Sequence, residues 1–154
     1  MVKKDASIIL FRIISLFGTP FFYIPAIFYL LKINPRLAIN VIIALVLTEV
    51  TCAFIKYVYP KERPIPMPRK TLFQKYLAGS FPSVHTARIT ALSAAAALFY
   101  ANRRFILIAS LVVIAVGYSR IYLKKHYLVD VIAGFLIGAS IGILVPVMQN
   151  NFIH

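Results

Sequence analysis

The chain has 154 residues, of which 61% are hydrophobic, and its mean hydropathy of +0.86 is far above that of soluble domains. Seventeen lysines and arginines oppose only four acidic residues, which leaves a net charge of +13. A nucleic-acid-binding domain of that charge would carry its cations on polar helices, whereas here they lie between long apolar runs. The composition therefore excludes a soluble nucleic-acid-binding protein and predicts one membrane domain over residues 1–154.

The first apolar stretch, residues 6–33, is long enough for one tilted membrane helix, but Gly18, Pro20 and Pro25 can break it. We interpret it as an interfacial start near Arg12 followed by one kinked span. A short helical hairpin is the alternative and would add one crossing. We expect no cleavable signal peptide, because Arg12 interrupts the apolar core and no A-x-A-like site follows.

A crossing takes about 20 apolar residues, and four further stretches qualify, the second and third of them if each carries its polar end at the water interface. They cover residues 37–57, 83–101, 105–123 and 127–147, and the short turns "INPR" and "ANRR" join neighbouring helices. The sequence thus predicts an all-α integral membrane bundle of five to six transmembrane helices.

The main loop, residues 60–81, begins with the proline-rich run "PKERPIPMP", which cannot form a regular helix. The following "RKTLFQKYL" places Leu72, Phe73, Tyr76 and Leu77 on one face at helical spacing. This pattern predicts a short amphipathic helix in the headgroup layer. It either caps the bundle or guides a lipid into a site.

Ionisable residues stand at the ends of the predicted spans and all lie towards one membrane face if the helices alternate in direction. They are Lys56, Arg63, His85, Arg88, Arg120, His126 and Asp130. Such groups are costly at membrane depth, so a functional role is the default hypothesis for the group. Glu49, two turns before Lys56, either packs between helices or tunes the site.

Two histidines in this group predict nucleophilic chemistry. His126 and Asp130 are four residues apart, so we expect them to be neighbours on one helix face. A carboxylate bonded to one ring nitrogen would fix the tautomer and leave the other nitrogen free to attack. His85, from another helix, could then act as the proton donor.

The remaining polar groups predict an anion site. Lys56, Arg63 and Arg120 supply positive charge, and Ser83 with the amides after Pro82 stands at a helix start. One substrate class suits all of these features, a phosphate monoester or diphosphate that is attacked by imidazole.

Three motifs in this order carry a family resemblance. "KYVYPKERP" matches K-x6-R-P, "PSVH" resembles P-S-G-H, and "SRIYLKKHYLVD" matches S-R-x5-H-x3-D. Together they resemble the membrane branch of the type 2 phosphatidic acid phosphatase (PAP2) superfamily, which hydrolyses lipid phosphates.

The resemblance implies a role for each motif residue. His126 would form a phosphohistidine, Asp130 would orient it, and His85 would protonate the leaving oxygen and then activate water. The phosphoryl oxygens would be held by Lys56, Arg63, Ser83, Arg120 and the amide of Val84. Val84 replaces the glycine of the family pattern. We expect it to start a helix with a negative φ and to turn its side chain away from the phosphate.

The resemblance further implies a metal-independent lipid phosphate or polyprenyl diphosphate phosphatase without a cofactor. Because the short chain leaves little protein outside the membrane, we expect a small headgroup, with isoprenoid diphosphate ahead of glycerophospholipid. The family suggests the extracytoplasmic face of the cell membrane, although the Lys and Arg count with five spans favours the cytoplasm. The alternative is a non-catalytic lipid-phosphate binder or transporter, which would not need the intact His126, Asp130 and His85.

Overall fold

The computed structural model describes residues 2–152, which form α-helices, one short 3-10 helix and their connections, without a strand in that range. The elements are α1 (Val2–Ser15), the 3-10 turn Leu16–Gly18, α2 (Pro20–Ile33), α3 (Pro35–Val58), α4 (Leu72–Ala78), α5 (Val84–Tyr100), α6 (Arg103–Tyr122) and α7 (Leu128–Phe152). The predicted all-α class is confirmed.

Three helices, α3, α6 and α7, are individually long and apolar enough to cross a membrane. The pair Ala6–Gly18 and Pro20–Ile33 adds a fourth candidate if it forms one span, since the two segments meet at a bend of 44°. A bend of this size fits the kinked interpretation of the first stretch, whereas a hairpin would reverse the chain direction. α5 has 17 residues and is about 25 Å long, slightly less than the apolar thickness of a bilayer.

The outer surface of the bundle is apolar. Phe21, Ile114 and Leu136 have exposed fractions of 85%, 65% and 57%. Large exposed apolar surfaces on a helical bundle are suited to lipid and not to water. The chain is therefore an integral membrane protein.

α5 lies at the centre of the bundle and packs most extensively against α7. Gly134, Gly138 and Gly142 recur every four residues on the side of α7 that faces α5. A Cβ at Gly138 would lie 2.9 Å from Cβ of Thr90, and one at Gly142 would lie 2.9 Å from Cα of Ala91. This small-xxx-small pattern lets the two backbones approach closely, and it fixes the start of α5 against the start of α7.

The predicted short helix in the main loop is present as α4. Thr71 and Gln74 form a capping box at its start, and Leu72 and Phe73 remain 69% and 68% exposed. The helix packs against the last turns of α3, where the hydroxyl of Tyr57 donates to the carbonyl of Leu72 at 3.1 Å.

Candidate active site

The predicted site residues come from separate parts of the chain, and the fold brings them to one end of the bundle. Lys56 stands in the last turn of α3 and Arg120 in the last turn of α6. The segment before α5 reaches α7, because the amide of Ser83 donates a hydrogen bond of 2.8 Å to the carbonyl of Asp130. The ends of four helices thus meet around one polar cluster.

His126 lies in the loop between α6 and α7, with 2% of its surface exposed. Its Nδ1 is 2.7 Å from the carbonyl oxygen of Ser80. Because a carbonyl oxygen can only accept, Nδ1 carries the proton and Nε2 keeps its lone pair. Burial lowers the pKa of His126 to about 4, an effect that Asp130 opposes and the surrounding cations reinforce. The ring is therefore neutral near pH 7, with one nitrogen free.

The predicted hydrogen bond between Asp130 and His126 needs a correction. α7 begins at Leu128, so His126 precedes the helix and the i, i+4 geometry of a helix face does not apply. Oδ2 of Asp130 is 3.8 Å from Nδ1 of His126, which is an ion-pair distance and too long for a hydrogen bond. The Ser80 carbonyl accepts the hydrogen bond of the ring instead, and the carboxylate lies beside the ring as a charge and accepts no hydrogen bond from it.

The fully buried Asp130 carboxylate has three hydrogen-bond donors. Oδ2 accepts from the Ser80 hydroxyl at 2.5 Å and from the Tyr127 amide at 2.9 Å, and Oδ1 accepts from Nζ of Lys61 at 2.7 Å. Hydrogen bonds to the charged form keep the carboxylate ionised. Asp130 is thus a fixed negative charge beside the imidazole.

Sequence reasoning missed Ser80 and Lys61. The Ser80 amide donates to the Lys61 carbonyl at 2.8 Å, so the start of the main loop and its end are joined beside Asp130. Nζ of Lys61 also lies 4.6 Å from the centroid of the Tyr127 ring. The only signal in the sequence was a polar side chain inside or next to a motif, which does not separate these residues from other loop residues.

Two of the three predicted phosphate-binding cations, Lys56 and Arg120, are buried, and Arg63 is partly buried. Lys56 is 3% exposed and its Nζ donates to the Gly79 carbonyl at 2.5 Å. Arg120 is 7% exposed and its Nη1 donates to the hydroxyl of Ser15. The buried Nε atoms of Arg63 and Arg120 have no hydrogen-bond partner among the residues that the structure describes. Buried donors of this kind call for an explanation, and an anion between the two guanidinium groups would provide one.

Ser83 and the start of α5 lie in the same polar cluster and supply uncharged hydrogen-bonding groups. Ser83 is fully buried, and its hydroxyl lies 3.0 Å from that of Thr86 and does not cap the helix. The first amides of a helix lack intrahelical acceptors, so those of Val84 and His85 are available to an anion.

His85 stands in the first turn of α5 and packs against the 3-10 turn. A Cβ at Gly18 would lie 2.8 Å from Cβ of His85, so only glycine allows this approach. His85 interacts electrostatically with His126 and Arg120, and both His85 and Arg120 line a cavity of about 800 Å³. The two predicted catalytic histidines are thus brought to the same cluster, His85 from the start of α5 and His126 from the loop before α7.

Residues 37–154 match the profile of a family described as the PAP2 superfamily, and this stretch includes every predicted site residue. The chain belongs to the PAP2 superfamily. It is 34% identical over 139 residues to an undecaprenyl-diphosphatase from Sulfolobus acidocaldarius. That alignment covers 85% of this chain and 65% of the relative, so the chain spans about two thirds of the relative's length.

Two solved structures share this PAP2 fold. LpxE from Aquifex aeolicus superposes with a TM-score of 0.79 at 26% identity, covering 92% of this chain and 86% of that one. A transmembrane PAP2-type phosphatidylglycerolphosphate phosphatase from Bacillus subtilis gives a TM-score of 0.78 at 20% identity, over 94% and 77%. The family resemblance drawn from the three motifs is confirmed.

Val84 is the departure from the PAP2 motif, and the structure accommodates it. The residue is 6% exposed and packs in a cluster with Cys52 and Ala87. Among the described non-glycine residues only Ala101 and Lys124 have a positive φ, so Val84 begins α5 with ordinary helical geometry. The predicted helix start is present, and the side chain packs against neighbouring helices.

Glu49 forms a second polar cluster, one to two turns deeper in the PAP2 bundle. Nη2 of Arg88 lies 2.6 Å from Oε2 of Glu49, and the Tyr76 hydroxyl donates to Oε1. Burial raises the pKa of Tyr76, and the hydrogen bond to Glu49 adds to this effect. Nζ of Lys56 lies 5.4 Å from the centroid of the Tyr76 ring. Arg88 is therefore paired with Glu49, and Tyr76 lies between this pair and Lys56.

Proposed function

We propose that this protein is an integral membrane phosphatase that removes phosphate from a lipid phosphate or polyprenyl diphosphate through a phosphohistidine. The observation that carries the proposal is the buried His126, whose Nδ1 donates to Ser80 and whose Nε2 is left free among buried cations. A neutral imidazole fixed in one tautomer is a ready nucleophile for phosphorus.

In the first step, Nε2 of His126 forms a bond to phosphorus while the bond from phosphorus to the leaving oxygen breaks. The electron pair stays on that oxygen, which takes a proton from protonated His85. The phosphorylated imidazole retains its Nδ1 proton and gains positive charge, which the Asp130 carboxylate, 3.8 Å away, stabilises.

In the second step, water attacks the phosphohistidine. His85, now neutral, takes a proton from that water as the oxygen bonds to phosphorus. The N–P bond breaks, its electrons return to Nε2, and inorganic phosphate leaves. Each catalytic group has then recovered its initial protonation state.

The phosphoryl oxygens would be held by Lys56, Arg63, Ser83, Arg120 and the amide of Val84. The free Nε atoms of Arg63 and Arg120 support this assignment, because they are buried donors aimed at no protein acceptor. A preorganised set of cations stabilises developing negative charge without reorganisation, and we propose that no metal ion is required.

We propose an isoprenoid diphosphate as the preferred substrate class, because the relative from Sulfolobus acidocaldarius is an undecaprenyl-diphosphatase. We further propose five spans, formed by the bent α1–α2 pair together with α3, α5, α6 and α7. We also propose that the active site lies at the extracytoplasmic face of the cell membrane, as the family resemblance suggests.

Phosphate release by the purified protein in detergent tests this proposal. The substrates are farnesyl diphosphate, phosphatidic acid and phosphatidylglycerol phosphate, each assayed with and without EDTA. We expect turnover that persists in EDTA and is inhibited by vanadate, which adopts the trigonal bipyramidal geometry of the phosphoryl group under attack. Loss of turnover in EDTA with recovery in magnesium contradicts the metal-independent mechanism. Binding without turnover contradicts the enzyme and favours a lipid-phosphate binder.

A further inference from the structure

A cavity of about 800 Å³ opens beside His85, between α1, the 3-10 turn and the end of α6. Its volume is in the range of ligand sites. Among the residues whose side chains the structure describes, four cationic residues line it and no acidic one does. They are Arg12, Arg120, Lys124 and Lys125. The motif chemistry uses Arg120 alone, so the other three cations have no function in the mechanism above.

The position of the cavity identifies which part of a substrate would enter it. In a phosphoryl transfer the attacking and leaving atoms lie roughly in line on opposite sides of phosphorus. His126 attacks and His85 protonates the leaving oxygen, so the leaving group lies on the His85 side. His85 lines the cavity, whereas His126 does not. The cavity is therefore the compartment of the leaving group.

Backbone hydrogen bonds fix the position of Lys125 in the wall of this cavity. The amides of Lys125 and His126 both donate to the carbonyl of Arg120, at 3.0 and 3.2 Å. Burial lowers the pKa of Lys125, and the charges of Arg63, Arg120 and Arg12 add to this effect. A cation placed among other cations gains from a multiply charged anion and not from an uncharged alcohol.

We propose that Arg12 and Lys125, with Arg120, form a subsite for the non-reacting phosphate of a lipid diphosphate. This inference rests on the proposed phosphatase function and sharpens its substrate class. With a diphosphate, the P–O bond of the anhydride breaks and the leaving group is a charged lipid monophosphate, which these cations stabilise. With a lipid monophosphate, the leaving group is an alcohol and the subsite has no anion to hold. The apolar Ile8, Leu16 and Leu123 in the same cavity wall would contact the start of the lipid chain.

Paired substrates test the subsite. Phosphate release from farnesyl diphosphate and from farnesyl monophosphate is measured for wild type, Arg12→Gln, Lys125→Gln and the double variant. We expect each single variant to lower kcat/KM for the diphosphate by about 10-fold and the double variant by about 100-fold, the usual effect of losing one charged contact per site. The monophosphate value should change by less than about three-fold.

Lys75→Gln is the matched control, because Lys75 is an exposed cation of α4 and does not line the cavity. It should leave both substrates unaffected. An equal fall for both substrates in the subsite variants, or no fall for either, overturns the proposal. We expect each variant to unfold at the wild-type temperature, because Arg12 is exposed and Lys125 half-buried. An unchanged unfolding temperature separates a loss of activity from a folding defect.

A binding measurement keeps the subsite testable if no lipid is hydrolysed, an outcome that refutes the proposed function alone. Inorganic pyrophosphate should raise the unfolding temperature of the wild type more than inorganic phosphate does. The double variant should lose this difference. Equal stabilisation of the wild type by the two ions overturns the subsite regardless of turnover.

Discussion

On one side of the site the buried polar groups pair with one another, whereas on the other side a buried donor has no partner among the described residues. The packed side consists of α5, α7 and residues 79–83, where Ser80, Asp130 and His126 form a continuous hydrogen-bond network. The open side consists of α1, the 3-10 turn, the end of α6 and residues 123–125, which surround the cavity of about 800 Å³. Here Nε of Arg120 has no partner. The difference indicates that the packed side fixes the nucleophile in advance and the open side receives the substrate.

The largest expected effect is a loss of stability when the close contact of Gly138 with α5 on the packed side is disturbed. Gly138→Val would force a side chain against the Ala87 carbonyl and to within 2.9 Å of Cβ of Thr90. Because a backbone atom cannot move aside cheaply, we expect a loss of about 3 kcal/mol or more and little folded protein in detergent. Ala139→Val is the control, since Ala139 lines an apolar groove of about 610 Å³ that has room for two methyl groups. Similar yield and unfolding temperature of the two variants would contradict the close helix contact.

The next largest effect is expected on kcat when the hydrogen-bond network around Asp130 is changed. Asp130→Asn removes the charge beside the imidazole and should lower kcat by about 10²–10⁴-fold, as expected for a wrongly stabilised catalytic histidine. Lys61→Gln should cost only about 10-fold, because the Lys61 side chain is 25% exposed and water can replace part of its pairing. A larger loss in Lys61→Gln than in Asp130→Asn, measured with the same substrate, would mean that Lys61 contacts the phosphate directly.

The burial of His126 predicts a pH effect on stability. Its folded pKa of about 4 lies below the ordinary value of 6.5, so the unfolded chain takes up the proton first. The contribution to the free energy of unfolding is complete above pH 6.5 and is lost as the pH falls towards 4, by about 2 kcal/mol between pH 7 and pH 5. Thermal unfolding at these two pH values should show a smaller drop for His126→Asn than for wild type. Equal drops would show that the ring is not buried in the neutral form.

The smallest effect on rate is expected at Val84. Val84→Gly keeps the amide at the start of α5, so kcat should stay within about three-fold, while loss of the buried side chain lowers stability by about 2 kcal/mol. Val84→Pro removes the amide and should lower kcat by about 10²-fold. If glycine instead raises kcat by ten-fold or more, the native valine obstructs the site.

The sequence was sufficient to predict the all-α class and the end of the bundle at which the motif residues lie. Both predictions depend on the length of the apolar spans and the order of the motifs, which residue types alone determine. Hydrophobicity located α3, α6 and α7, and the spacing of ionisable groups predicted that Lys56, Arg120 and Asp130 share one end of the bundle. The close contact of α5 with α7 also has a sequence signal, the glycines every four residues.

Other features depend on the residue at which a helix begins, which the sequence predicts only to within about one helical turn. His126 and Asp130 do not share a helix face as predicted, because α7 starts at Leu128. The role of Ser80 was hidden for a related reason. Its carbonyl, a group that every residue has, binds the imidazole, and only the path of the chain places it there.

The most direct test of the central claim is to trap the phosphoenzyme and determine which ring nitrogen carries the phosphate. Wild type, His85→Ala and His126→Ala are mixed with farnesyl diphosphate, quenched in alkali, digested and analysed for phosphohistidine isomers. Because Nδ1 of His126 is engaged by the Ser80 carbonyl, we predict acid-labile phosphate on Nε2 of His126, accumulating in His85→Ala and absent in His126→Ala. Phosphate on Nδ1, or a phosphoenzyme that persists in His126→Ala, would contradict the account.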